Sequence, residues 1–226
     1  MKYFELKNST NIKEVGKLPQ SEDGYFGDVQ QSFIPFEGLI DFDFKLPEPK
    51  LEKKAKQTSF LNVIITSGKF LVIDDDFLNF LKDFNIGEYQ SWKIKIYQEK
   101  ELIEKYNLFF LNDIKQSDYI DYTKSKFYKG KFFDYENKGE IVEIINYQDF
   151  LEKREAVKNE KNKLHLLDEK IVFDLRRVKE DMFKIMNSPR SGYYISERLK
   201  EAIEAKGLTG MSFTEIGDLK NVEVIY

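Results

Sequence analysis

The chain has 226 residues, 41% of them hydrophobic and 34% charged, with no cysteine and a formal net charge of -4. That length supports one large domain or two small ones around a substantial core, and the composition excludes a disordered tail. The acidic balance argues against general nucleic-acid binding, and no apolar run approaches the roughly 18 residues of a membrane helix.

The opening MKYFELKNST has no apolar h-region, so no secretory signal is expected. Without a possible disulfide, the cytoplasm is the expected compartment. Phe and Tyr are abundant, at 20 and 13 residues, which suits a strand-rich core with half-buried positions.

In chain order, residues 1–58 read as an irregular N-terminal segment with short apolar patches such as QSFIPFEGLIDFDF, closed by Pro47, Pro49 and the basic run PKLEKKAKQ. An α+β domain is expected over 59–226, with two similar halves packed as one globular unit among the readings the pattern allows. FLNVIITSGKFLVI predicts two strands about a turn at Thr66-Ser67-Gly68. From Asp75 to about Phe84, the apolar residues Phe77, Phe80, Leu81 and Phe84 recur at helical spacing.

SWKIKIY alternates through Trp92, Ile94 and Ile96 as a half-buried strand does. NLFFLNDI, DYIDYTKSKF and IVEIINY (141–147) read as further strands. DFLEKREAVKNEKNKLHLLDEK starts as a charged surface helix. KIVFDL and DMFKIMN suggest a strand pair joined by RRVKE, before the turn Ser188-Pro189-Arg190-Ser191-Gly192. Mostly antiparallel strands with two or three helices are therefore expected.

Two stretches echo one another, VIDDDFLNFLKDFNIGEY (72–89) and YISERLKEAIEAKGLTGM (194–211). Asp74 and Ser196 are both good N-caps, followed by acidic residues that suit the positive end of the helix dipole. Asn85 and Gly207 stand at matching stop positions, where a left-handed residue can close a Schellman motif. Each stretch reads as strand, capped helix, stop and strand.

Catalytic constellations are scarce. His165 is the single histidine, no G-x-S-x-G elbow accompanies it, and a zinc site of the usual kind lacks ligands. Neither nucleotide-binding glycine loop occurs. Tyr122 and Lys126 share the Y-x-x-x-K spacing of short-chain dehydrogenases, but no dinucleotide loop supports them. Asp134, Glu136 and Lys138 could be arranged as a metal-dependent nuclease triad, although their segment reads as a polar turn. Asp74, Asp75 and Asp76 could face a cation, yet helix capping accounts for them. No cofactor and no metal are expected.

GYYISERLKEAIEAKGLTGMSFTEI (192–216), together with GKFLVIDDDFLNFLKDFNIGEYQSWKIKIY (68–97) and NLFFLNDIKQSDYIDYTKSKF (107–127), resembles a family of immunity proteins from bacterial polymorphic toxin systems. Asp74 stands where serine is usual in that family's first capped helix. The resemblance implies a cytoplasmic α+β protein without catalytic residues, which binds a cognate protein toxin encoded by a neighbouring gene. It implies neither a nucleic-acid nor a membrane partner.

An acidic, tyrosine-rich inhibitor would associate quickly with a basic toxin. The candidate toxin-binding residues are Glu22, Asp23, Tyr25 and Asp28, then Asp41 and Asp43, then Asp134, Tyr135 and Glu136. A non-catalytic adaptor and, less favoured, a metal-dependent hydrolase are the alternative readings.

Overall fold

The computed structural model describes the chain except for residues 23–24, 65–67, 113–118, 135–136 and 161–163. Its first strands are β1 (Tyr3–Asn8), β2 (Lys50–Leu51), β3 (Leu71–Asp74), β4 (Tyr89–Lys93), β5 (Ile96–Gln98), β6 (Glu101–Ile103) and β7 (Tyr106–Leu111). The second half supplies β8 (Lys126–Gly130), β9 (Ile141–Val142), β10 (His165–Asp174), β11 (Met182–Ile185), β12 (Gly192–Ser196), β13 (Met211–Glu215) and β14 (Val222–Ile225). Four α-helices stand among the described residues, α1 (Ile12–Val15), α2 (Asp75–Leu81), α3 (Tyr147–Lys158) and α4 (Glu197–Lys206). The fold is α+β, with mostly antiparallel sheets.

Two sheets carry the echo. One runs β3-β7-β4, the other β11-β12-β1-β13, with every neighbouring pair antiparallel. In each, a strand leads through a helix to a second strand parallel to the first, leaving between them a gap one strand wide. β7 fills the first gap and β1 the second, so both halves are split β-α-β units.

The likeness extends to single hydrogen bonds. The Asp75 N–H donates to Lys105 O at 2.9 Å, and the Glu197 N–H donates to Lys2 O at 3.0 Å. Next along the chain, Tyr106 Oη donates to Thr58 O at 2.9 Å, as Tyr3 Oη does to Glu180 O at 3.1 Å. Phe60 bridges Ile73 in the first half just as Met182 pairs with Ile195 in the second. Even the residues at the caps are exchanged. Asp74 caps α2 with the Ser59 hydroxyl bonded to it, while Ser196 caps α4 with its hydroxyl bonded to Asp181.

One core serves both halves. Phe77 and Leu81 of α2, Leu199 and Ile203 of α4, and Ile73, Phe109, Leu6 and Ile195 from the sheets are all buried in it. Each such side chain contributes about 1.5–3 kcal/mol on leaving water. Lys184 of β11 is fully buried, with its Nζ 3.6 Å above the Phe110 ring of β7. The outer face of β3 and β7, with Val72, Leu108 and Phe110, belongs to a second core, completed by residues 29–61 and β5 and β6. The outer face of β1, β11 and β12 packs on the sheet β14-β10-β8-β9 and on α3.

Several sequence readings need correction. Residues 1–58 are not irregular throughout, because Tyr3–Asn8 form the interior strand β1. α2 ends at Leu81, not Phe84, and tightens through bonds from Lys82, Asp83 and Phe84 to carbonyls three residues back. Asn85 does not take a left-handed conformation; among the residues that follow α2, Gly87 does, at φ +71°.

The strand expected over SWKIKIY breaks after Lys93 and resumes in another sheet at Ile96. IVEIINY keeps only Ile141–Val142 as strand, because Asn146 already caps α3. β10 and β11 lie in different sheets and do not pair. In DYIDYTKSKF the strand starts at Lys126, after a turn held by the Asp121 carboxylate. Of the expected hairpin FLNVIITSGKFLVI, the described residues form a strand only from Leu71, in Leu71–Asp74, and Thr66 and Ser67 of its turn lie outside the described residues.

Asn85 instead ties the halves together. Its backbone N–H donates to Asp181 Oδ2 at 3.0 Å, and its carbonyl accepts from the Asp181 N–H. The Asp181 carboxylate, 3% exposed, also accepts from Ser196 Oγ at 2.7 Å and from the Arg198 guanidinium. Burial pushes this carboxyl up, but the Arg198 and Ser196 bonds outweigh it and hold it below its ordinary value of 3.8. Its stabilising contribution is therefore complete above that value and is lost as the pH falls toward the depressed one. Wild type should lose stability below about pH 4 more steeply than Asp181→Asn, and equal slopes in acid titrations of the denaturant midpoint would refute the assignment.

At the end of α4, Gly207 has φ +73° and ψ +25°, its N–H donates to Glu204 O, and Leu208 N–H reaches Ile203 O at 3.2 Å. These are the two bonds of a Schellman motif. A Cβ added there would meet nothing within 4 Å, so a side chain costs only backbone strain. Gly207→Val should lower unfolding stability by more than about 1 kcal/mol in urea; an unchanged midpoint would contradict the motif.

Candidate functional site: an acidic aromatic hairpin

Five of the nine sequence-predicted contact residues, Glu22, Tyr25, Asp28, Asp41 and Asp43, fall in one hairpin. The described residues of its arms are 20–22 with 25–28 and 45–52, linked by a ladder of backbone bonds. Glu52 N–H donates to Gln20 O, Glu22 N–H to Lys50 O, Glu48 N–H to Tyr25 O, and Asp28 N–H to Lys45 O, all within 3.0 Å. Gly27 sits at φ +60°, where a Cβ would lie 2.2 Å from Lys45 O, so only glycine lets the arms approach. Gln20 is fully buried and fixes the base through bonds to Lys56 O, Thr58 Oγ1 and the Asn62 N–H.

The tip, residues 29–44, has little regular structure of its own, and buried anchors hold it. Val29, Ile34 and Ile40 enter the second core. Lys69, 3% exposed, donates from Nζ to Ile34 O at 2.6 Å and lies 4.3 Å from the Phe36 ring; burial pushes its pKa down. Gln90 clamps Ile40 from both sides, accepting its N–H and donating to its carbonyl, each at 2.8 Å. Phe44 packs edge-on against Trp92 at 5.1 Å. From Phe44 a chain of ring contacts runs outward to Phe42 at 6.4 Å and on to Phe33 at 5.7 Å.

Outside the anchors the tip is open. Leu39 is 64% exposed, Phe33 53%, Tyr25 50% and Phe42 39%. Asp41 and Asp43 flank Phe42 and are exposed, as is Glu22. Residues 21–48 contain seven carboxylates and one lysine, a net charge of -6 against -4 for the whole chain. The remaining residues are therefore net positive. Phe33, Leu39 and Phe42 were not singled out by sequence reasoning, although the alternation in DFDF around Phe42 carried that signal.

Asp134 lies apart from this hairpin, in the connection between β8 and β9. Its Oδ1 accepts from the Asn137 N–H and Nδ2, the bonding of a polar turn. Asp23, Tyr135 and Glu136 lie outside the described residues, and with Glu136 so does part of the triad of Asp134, Glu136 and Lys138; Lys138 pairs with Glu169 at 2.6 Å. Tyr122 is buried against Phe127 and Phe150, with its hydroxyl 3.2 Å from Ser188 Oγ. His165 stacks on Phe132, with ring centroids 3.9 Å apart.

Among the described residues no group of three or more His, Cys, Asp or Glu is placed to hold a metal, and no helix is long and apolar enough to cross a membrane. No protein-family model matches the chain, and a search of curated proteins finds no match.

Gln90→Ala would strip both backbone partners from buried Ile40. The expected result is a loss of about 2 kcal/mol and faster protease cleavage within 29–44 than in wild type. Unchanged cleavage would show that the tip is held by its apolar anchors alone.

Proposed function

We propose that this protein is an immunity protein, which binds and neutralises a cognate bacterial toxin by stoichiometric protein–protein contact in the cytoplasm of the cell that makes both. One observation carries the reading most. The chain's negative charge and several of its exposed aromatic side chains share a single hairpin that the core holds in place. A polyanion-binding toxin presents a basic surface, which such a face would attract from a distance and then grip by apolar contact. Fixed anchors reduce the ordering cost of association, as an inhibitor that must act before the toxin requires. The resemblance of 68–97, 107–127 and 192–216 to immunity proteins supports the same role.

Co-expression with the toxin domain encoded by the neighbouring gene should restore growth of the host. The purified proteins should then elute together as a complex of fixed stoichiometry. Rescue at substoichiometric amounts, without an isolable complex, would point to enzymatic inactivation and overturn the proposal.

A further inference from the structure

We infer that the docking surface is the outer face of the hairpin tip, centred on Phe33, Leu39 and Phe42 and rimmed by Asp41 and Asp43, and that its occupant is a basic protein surface. The inference rests on the toxin-binding reading above and assigns it a place and a chemistry.

Charge selects the occupant. Residues 21–48 carry a net charge of -6 while the rest of the chain is close to neutral, so the chain's excess of negative charge lies in the segment that presents this face. A second copy of the chain would bring like charges together at the same patch, which disfavours an isologous contact. A cationic partner gains from the same carboxylates. It can also place arginine or lysine against the exposed rings of Phe33 and Phe42, whose faces attract cations.

Phe132, Phe133, Ile141 and Ile145 are exposed apolar residues in a rival region of the chain, Phe133 at 89%. Residues 129–145 carry three lysines against four carboxylates, a net charge of -1, far from the -6 of residues 21–48.

The two kinds of residue should divide the work. Exposed carboxylates act at long range and set the association rate, whereas the desolvated rings set the lifetime of the complex. Phe33 and Phe42 are outer links of a ring chain whose inner members, Phe44 and Trp92, hold the fold. Changing the outer pair therefore leaves the anchors intact.

The test uses the full-length protein and a catalytically inactive form of the neighbouring gene's toxin domain, with binding kinetics followed at two salt concentrations. Asp41→Asn combined with Asp43→Asn should slow association about tenfold at low salt and flatten its salt dependence, with little change in dissociation. Phe33→Ala combined with Phe42→Ala should accelerate dissociation by tenfold or more while the melting temperature is kept.

Unchanged kinetics in both double variants, with a wild-type complex present, would overturn the surface and leave the immunity reading standing. Loss of binding in Phe133→Ser with Ile141→Ser, but not in the hairpin variants, would move the interface to the rival region and overturn the proposal. Absence of any complex with wild type would overturn the immunity reading and this inference together.

Discussion

A strand–helix–strand unit whose outer strands run parallel, one strand apart, cannot satisfy its own backbone. The inward-facing N–H and C=O groups of both strands need a partner, and here an antiparallel strand from elsewhere in the chain supplies it. Both halves of this protein are built on that requirement. β7 meets it for β3 and β4, and β1 meets it for β12 and β13. Matching bonds from Lys105 and Lys2, and from Tyr106 and Tyr3, follow because the inserted strand must enter each gap at the same register. With equivalent faces of the halves turned to one core, a change in either half is felt in both.

The local grammar of these units is visible in the residues themselves. Asp74 and Ser196 cap because their short side chains reach the N–H three residues on, and Gly207 stops α4 because a left-handed φ costs glycine little. What failed was everything decided across the chain. Asn85 resembles a helix stop in sequence, but a bond to Asp181, far along the chain, fixes its conformation. KYFELKN shows no strand alternation clean enough to stand out, since β1 has neighbours on both sides and is buried on both faces in part. β10 and β11 looked like a pair because they are close in sequence, whereas pairing is set by which sheet needs an edge.

The candidate surface was legible in its charge and not in its apolar part. Carboxylates at 22, 41 and 43 are exposed, as charge demands wherever such a segment runs. In FIPFEGLIDFDF, by contrast, Ile34 and Ile40 are core and Phe33, Leu39 and Phe42 are not, a division that depends on where Gln90 and Lys69 grip the backbone. A segment with little regular structure is thus made rigid by side chains borrowed from β4 and from the approach to β3. That is how a loop can present large apolar groups to solvent without collapsing onto them.

The origin of β1 has a consequence for how the protein is made. Synthesis releases residues 3–8 well before their sheet partners 192–196 and 211–215. The first half has all three of its strands once Leu111 has emerged. β1 must meanwhile wait in the open, with both edges unpaired, until β12 and β13 have emerged. For that interval the nascent protein carries a free segment that another polypeptide could capture, and the second half closes only once Glu215 is out.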